Sequence, residues 1–277
     1  AVIDPKARIA DGVEIGPFVV IGPKVKIGSR TRLHAHAHVV GRTTIGPECD
    51  IYAFTVLGGE PQDLKFRGEE TELIVGRKNI IRECVTVNRG TGLGGGKTVI
   101  GDQNLIMAYV HIAHDCRIGN QCVLTNNAAL AGHIVLEDMA ILSGIVAVHH
   151  FVTIGTMSFI ASLSAVRADV PPYMIAEGNP ARVRKLNTEG LRRRGVPPES
   201  ARALKEVFKL VYRSEHSRAQ ALERIESSGL AQDPAVLNLV AHYRASEAGY
   251  QGRALEAFRV DKEGKGRRAT VEADEDE

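Results

Sequence analysis

IGPFVVIGPKVKIGSRTRLHAHAHVVGRTTIG, residues 15–46, holds an aliphatic side chain at every sixth position: Ile15, Ile21, Ile27, Leu33, Val39 and Ile45. The run extends back to Ile9 and Ile3 and forward to Ile51 and Leu57, then returns in phase at Val75, Ile81 and Val87. After a second interruption, which moves it by one residue, it continues from Ile100 through Ile106, Ile112, Ile118, Leu124, Leu130, Leu136, Leu142, Val148, Ile154 and Ile160 to Val166. Helices repeat near 3.6 residues and strands at 2, so neither produces this spacing. A short fixed repeat is the mark of a parallel β-helix. The fold class read from it is mainly β, a left-handed parallel β-helix of hexapeptide repeats followed by an α-helical domain.

The residues around each anchor describe the coil. Glycine follows the anchor at Gly16, Gly22, Gly28, Gly46, Gly58, Gly76, Gly101, Gly119 and Gly155, which suits a tight corner that a Cβ would obstruct. Four places after the anchor the residue is small or β-branched, as in Ala7, Val13, Val19, Val25, Thr31, Ala37, Thr43 and Cys49. Three hexads make one triangular coil of 18 residues, stacking on the next at about 4.8 Å, the spacing of hydrogen-bonded strands. Residues 18 apart in sequence thereby become neighbours. Cys49, Cys116 and Cys122 occupy the small-residue position and Cys84 adjoins one, so all four read as buried thiols rather than disulfides or metal ligands.

The 277 residues, 44% hydrophobic, permit a long core plus an appendage. The hexads define a β-helix over 1–186 with two excursions, 59–74 and 88–99. Loops of such length are more often functional than idle. Pro171 and Pro172 break the repeat, and from Asn187 the apolar residues fall at helical spacing, as in Ala203, Leu204, Val207, Phe208 and Val211. Asp233 before Pro234 reads as an N-cap and first helical residue. A helical domain over 187–260 follows, positioned to cover the open last coil. The charged stretch 261–277 reads as a disordered tail. A net charge of +2 gives no strong case for nucleic acid. No segment approaches the length of a membrane span, and the amino end AVIDPKARIADG lacks a signal pattern. A cytoplasmic protein without membrane insertion is expected.

Histidines carry the chemical signal. His111 and His114 lie in HIAHD, His133 in LAGH, and His149 and His150 in AVHHF. At one coil per 18 residues, His114, His133 and His150 are expected to form an outside column. An imidazole suits a general base, and Asp115 beside it suits an orienting carboxylate. His34, His36 and His38 are expected to point in different directions into solvent.

The segments GEPQDLKFRGEETEL (59–73), RECVTVNRGTGLGGG (82–96), HIAHDCRIGNQCVLTNNAALAGH (111–133) and DVPPYMIAEGNPARV (169–183), with NTEGLRRRG (187–195), resemble the acyl-acyl carrier protein:UDP-N-acetylglucosamine O-acyltransferases that begin lipid A synthesis. The similarity runs from the first hexad to about Arg253. It implies a homotrimer with active sites between neighbouring β-helices, a 3-hydroxyacyl-acyl carrier protein donor, a UDP-sugar acceptor, and no metal or cofactor. His114 matches the general base that deprotonates the sugar 3-hydroxyl, with Asp115 as its orienting partner, and the Gly132 N–H matches the oxyanion donor. Gln62, Asp63 and Lys65 match sugar-nucleotide loop residues; His111, His133 and His149 match supporting imidazoles; and Asn187, Glu189 and Arg193 match residues near uracil, ribose and phosphates. The arginine triple Arg192 to Arg194 suits a diphosphate or an acidic carrier protein.

Two positions depart from the family pattern. Asn88 in TVNRG replaces a histidine, and His150 replaces a glutamine. Asparagine hydrogen-bonds but cannot act as a base, so an acceptor with a 3-amino group, giving an amide, stays open. Ser162 matches the residue that stops the acyl chain, where long-chain members have glycine; the expected chain is therefore shorter than 14 carbons. The rival reading is a zinc hydratase, because hexapeptide β-helices include the gamma-class carbonic anhydrases. The local H-x-x-H spacing differs from the H-x-x-x-x-H expected of that class.

Overall fold

The computed structural model describes residues 1–258; the charged tail expected over 261–277 lies outside the described residues. The hexads wind into a left-handed parallel β-helix with three faces. Face A has nine strands, from Val2–Ile3 to Ala165–Val166, and face B has eight, from Arg8–Ile9 to Thr153–Ile154. Face C has ten, from Glu14–Ile15 through Phe159–Ile160 to Met174–Gly178 and the antiparallel Ala181–Leu186. Pairing runs His111 to Ala129 to Ala147 on face A and Arg117 to Val135 to Thr153 on face B, one coil per step.

The anchors fill the tube. Ile21, Leu33, Ile45, Ile51, Leu57, Ile81, Ile106 and Leu130 are at most 2% exposed, each contributing roughly 1.5–3 kcal/mol of burial. Ile3 and Ile9, in the first described coil, are 41% and 37% exposed. Asn79 and Asn104 replace a small residue inside the tube and bond between coils: the Asn104 N–H donates to Asn79 Oδ1 at 2.9 Å, and the Cys122 N–H to Asn104 Oδ1 at 2.7 Å. Cys49, Cys116 and Cys122 are buried, and burial pushes the thiols of Cys116 and Cys122 up to about 12. Cys84 is only half-buried, because it stands in a corner turn rather than inside the tube.

The corners differ from the expectation drawn from glycine. None of Gly28, Gly46, Gly101 or Gly119 has a positive φ; the left-handed residue falls two places later and is not glycine, at Arg30, Glu48, Gln103 and Gln121. The glycines serve approach between coils instead. A Cβ on Gly28 would lie 2.5 Å from the Pro47 nitrogen and one on Gly46 2.6 Å from the Gly76 carbonyl carbon. Between these two turn positions the chain often places proline, as at Pro17, Pro23 and Pro47, a residue with no N–H to donate.

The three corners carry different elements. Both excursions leave at the corner between faces A and B: one joins Val56–Gly59 to Glu72–Val75, the other Thr86–Asn88 to Lys97–Ile100. Their bases are drawn into the sheets, since Glu72 to Val75 pair residue for residue with Lys97 to Ile100. At the corner between faces C and A, His36 is exposed and stacked between Phe18 and Phe54, 4.8 Å from each ring centre. His34, on the same turn, stacks on Tyr52 and hydrogen-bonds Asp50 at 2.7 Å, so these two histidines are fixed in ring stacks rather than free in solvent.

The last coil is covered first by the antiparallel strand Ala181–Leu186 and then by helices α1 (Thr188–Arg193), α2 (Pro198–Tyr212), α3 (Arg218–Glu226) and α4 (Pro234–Glu247). Asp233 caps α4 as expected, accepting from the Ala235 and Val236 N–H groups at 2.9 and 3.1 Å. Leu204, Val207, Leu222, Ile225, Val236 and Leu239 form the helical core. Among the described residues no helix is long and apolar enough to cross a membrane.

Coil contact at the glycines predicts a contrast. Gly28→Ala should destabilise the protein by about 1–3 kcal/mol, since only backbone faces the new methyl. Gly22→Ala, whose Cβ would meet nothing nearer than 3.5 Å, should stay within about 0.5 kcal/mol of the parent. Denaturant midpoints of the two variants decide it; equal losses would show that coil spacing does not depend on these glycines.

Candidate active site

The corner between faces A and B gathers most of the expected residues. The chain leaves face A at His111–Ile112, turns through Ala113, His114, Asp115 and Cys116, and enters face B at Arg117–Ile118. Asp115 occupies the left-handed turn position with φ 61°, and His133 does the same one coil above with φ 64°.

Asp115 is held from several sides. Its Oδ1 accepts the Thr91 N–H at 2.9 Å, and its Oδ2 accepts the Thr91 hydroxyl at 2.6 Å and pairs with His114 Nδ1 at 2.8 Å. Its own N–H donates to Thr98 Oγ1 at 2.8 Å. Burial pushes the carboxyl upward, but the hydrogen bonds from His114 and Thr91 outweigh it and hold the group below the usual aspartate range. The ionised carboxylate accepts from Nδ1–H, so the lone pair of His114 lies on Nε2, the form a general base requires.

This arrangement explains the glycine-rich run. A Cβ on Gly94 would lie 2.0 Å from Asp115 Cγ, so the second excursion folds against the carboxylate only because that position is bare. The Gly94 N–H also donates to Thr91 Oγ1 at 3.0 Å and the Gly96 N–H to the Thr91 carbonyl at 2.9 Å. Thr91, Thr98 and Gly94 are site residues that hexad reading missed; the glycines next to an excursion were the available signal.

The expected histidine column is corrected. Coil register places Gly132, not His133, above His114, and Asp115, His133 and Phe151 form the stack. His133 lies 4.4 Å from the Phe151 ring, nearly parallel, and meets His114 edge-on at 5.2 Å. His150 turns instead toward His149, edge-on at 5.3 Å. The cause is arithmetic: 133 stands one place further round the corner than 114 and 150.

Gly132 is buried against the imidazole, and a Cβ there would sit 2.5 Å from His114 Cε1. Among the described residues its N–H makes no hydrogen bond, as befits the turn position where other corners carry proline. It remains available as a donor beside the base. Asp63, on the first excursion, brings Oδ2 to 4.0 Å from His114 Nε2, and its Oδ1 accepts the Lys65 N–H at 3.0 Å. Lys65 is half-buried on the same loop and Gln62 is exposed. His111 bonds Thr86 Oγ1 at 2.7 Å; burial, then the charge of His114, lowers its pKa. Asn88 is buried one coil below Ala113, with Nδ2 donating to the Glu60 carbonyl at 2.8 Å and Oδ1 without a hydrogen-bond partner among the described residues.

The residues expected to bind the nucleotide are not brought to this corner. Asn187 is buried as the N-cap of α1, accepting from the Gly190 N–H at 3.0 Å and donating to the Met157 carbonyl at 2.8 Å. Arg192 and Arg193 both pair with Glu189, whose carboxyl they hold down near about 2. Arg194 reaches Gln121 Oε1 at 2.9 Å, which fixes α1 at the corner between faces B and C. Ser162 is exposed at the third corner, between faces C and A. One chain thus places His114, the α1 residues Asn187, Glu189 and Arg193, and Ser162 on three separate edges.

Ligand atoms of His114, Asp115 and His133 lie within 4.8 Å of one another, close enough for a metal. Both Asp115 oxygens, however, already accept hydrogen bonds, and His114 Nδ1 is committed to one of them. The set suits proton transfer better than coordination.

Fold and site define a hexapeptide-repeat transferase. Residues 97–132 match the family described as bacterial transferase hexapeptide (six repeats), and residues 169–251 match UDP N-acetylglucosamine O-acyltransferase, domain 2. The chain is 47% identical over 231 residues to the acyl-[acyl-carrier-protein]–UDP-N-acetylglucosamine O-acyltransferase of Stutzerimonas stutzeri, covering 83% of this chain and 90% of that protein. The enzyme of the same name from Pseudomonas paraeruginosa is 48% identical, covering 85% and 91%. The crystal structure of the Moraxella catarrhalis UDP-N-acetylglucosamine O-acyltransferase superposes with a TM-score of 0.84 at 41% identity, covering 88% of this chain and 94% of that one. The Francisella novicida enzyme gives 0.83 at 39% identity, covering 87% and 88%. The chain belongs to the acyl-acyl carrier protein–UDP-N-acetylglucosamine O-acyltransferase family. None of these relatives supports the zinc hydratase reading.

Gly132→Ala should lower kcat by about 10²-fold, because the new methyl displaces the imidazole by an ångström or more. Steady-state kinetics with a thermal melt decide it. A near-normal kcat would show that His114 does not work from this position.

Proposed function

We propose that the protein transfers a 3-hydroxyacyl group from acyl carrier protein to the 3-position of UDP-N-acetylglucosamine, the first step of lipid A biosynthesis, with His114 as general base. The observation that carries this reading is the His114–Asp115–Thr91 relay at a corner shared by both excursions. His114 Nε2 takes the proton of the 3-hydroxyl as that oxygen attacks the thioester carbonyl. The carbon–oxygen bond forms and the carbon–sulfur bond breaks. The negative charge on the intermediate oxygen is met by the Gly132 N–H, and the proton on His114 passes to the departing thiolate. No step calls for a metal or cofactor, so thorough chelation should leave the rate unchanged.

The separation of roles over three corners supports a homotrimer. Asn187, Glu189 and Arg193 then serve the His114 of a neighbouring chain, and Ser162 limits an acyl chain lying in the groove between chains to fewer than 14 carbons. Asp63 and Lys65 position the sugar nucleotide beside the base, with Gln62 on the same loop. His111, His133, His149 and His150 line the corner as binding and supporting groups, and a cytoplasmic location follows from a carrier-protein donor.

A second reading concerns the acceptor. Among the described residues the buried Asn88 Oδ1 is a hydrogen-bond acceptor without a donor, and a 3-amino group offers one more donor hydrogen than a 3-hydroxyl. With that acceptor the product is an amide.

His114→Ala should cost about 10²-fold to 10⁴-fold in turnover with fold and assembly intact. Mass spectrometry of the product made by the parent from mixed acyl donors, with each acceptor in turn, reports bond type and chain length together. Near-normal turnover of the variant sinks the base assignment, and a product of 14 carbons sinks the role of Ser162.

A further inference from the structure

The helical region reaches back to the catalytic corner through its last described turn. After α4 the chain forms a 3-10 segment, Gly252–Phe258. The Arg253 N–H donates to Asp169 Oδ1 at 3.2 Å, and Asp169 also accepts the Thr153 N–H at 2.9 Å and the Ser246 hydroxyl at 3.1 Å. Gly252 passes so close that a Cβ would lie 1.6 Å from Asp169 Oδ2. Asp169 therefore joins face B, α4 and this segment at one carboxylate.

From that anchored backbone the Arg253 side chain extends to His149. Its Nη1 donates to His149 Nδ1 at 2.6 Å and to the His150 carbonyl at 3.0 Å, with Glu256 alongside at 2.5 Å. His149 and His150 follow the strand Ala147–Val148, which pairs with Ala129–Leu130, so they lie one coil above Ala131 and Gly132. A guanidinium has only donors. Nδ1 must accept, and the imidazole proton is on Nε2. The match to the family's helical domain ends at residue 251, before this arginine.

We propose that Arg253 is a positioning residue for the acyl transfer, fixing His149 in the tautomer that presents Nε2–H as a hydrogen-bond donor to an oxygen of the bound substrate above Gly132. The inference rests on the acyl-transfer reading for its kinetic consequence but not for its tautomer. Arginine suits the task because one nitrogen, Nη1, bonds the ring nitrogen and the neighbouring carbonyl together, and its charge persists at any working pH. Asp169 supplies the fixed backbone from which that reach is set.

The test uses the full chain and a double-mutant cycle. In the parent, ¹⁵N chemical shifts should show His149 Nδ1 as the unprotonated nitrogen, and in Arg253→Ala they should move toward a mixture of tautomers. Arg253→Ala should raise KM by about tenfold with kcat changed by less than about threefold, the size of one lost hydrogen bond. Arg253→Lys should recover most of the loss. In a His149→Ala background Arg253→Ala should have no further effect, since its action runs through that ring. A protonated Nδ1 in the parent overturns the proposal, and so do additive losses in the cycle, which would mark Arg253 as a tether of the C-terminal segment. The spectra need no turnover, so a failed acyl-transfer assay with the expected tautomer would count against the reaction and not against the Arg253–His149 pair.

Discussion

Every feature of the molecule depends on coils lying one strand spacing apart. Hydrogen bonds between equivalent strands set that distance near 4.8 Å, and at corners such as that of Gly28 only a bare backbone leaves room for it, since a Cβ there would lie 2.5 Å from the Pro47 nitrogen. The turn itself is made by a residue in the left-handed region, at roughly 1–3 kcal/mol where the residue is not glycine. Burial of an anchor in every hexad offsets that cost. Asp115 and His133 take this turn position at the His114 corner, so the candidate site stands on constrained backbone. A carboxylate and an imidazole there are aimed outward and held one coil apart before any substrate arrives.

The same geometry divides labour. One corner sends out both excursions and carries His114; the second receives α1 with Glu189 and Arg193; the third presents Ser162 among exposed apolar residues such as Leu163 and Ile145. A straight prism cannot bend one edge toward another. Contribution of all three to one reaction therefore calls for edges of different chains, and the homotrimer of the proposed function meets that need without any change of fold.

The hexads made the β-helix legible because every anchor faces one core, and the interruptions were legible because a loop must leave the tube. The site was legible where adjacent residues do the work, as with His114 beside Asp115. It was not legible where partners come from different coils with irregular offsets. Thr91 reaches Asp115 across 24 residues, through an excursion whose shape the repeat does not encode. The column His114–His133–His150 failed by one residue because corner direction, not coil number alone, decides what stacks. Phe151, which does stack on His133, reads in sequence as one more corner residue. Arg253 arrives from outside the repeat altogether, 104 residues after His149.

The sharing of one site between two chains is tested most directly by mixing inactive variants. His114→Ala carries intact nucleotide residues, and Arg193→Ala carries an intact base. Oligomers reassembled from both should regain activity well above either variant alone, because some interfaces pair an intact His114 with an intact Arg193. Mixed oligomers that form, as seen by native mass spectrometry, yet remain as inactive as their parents would contradict the account.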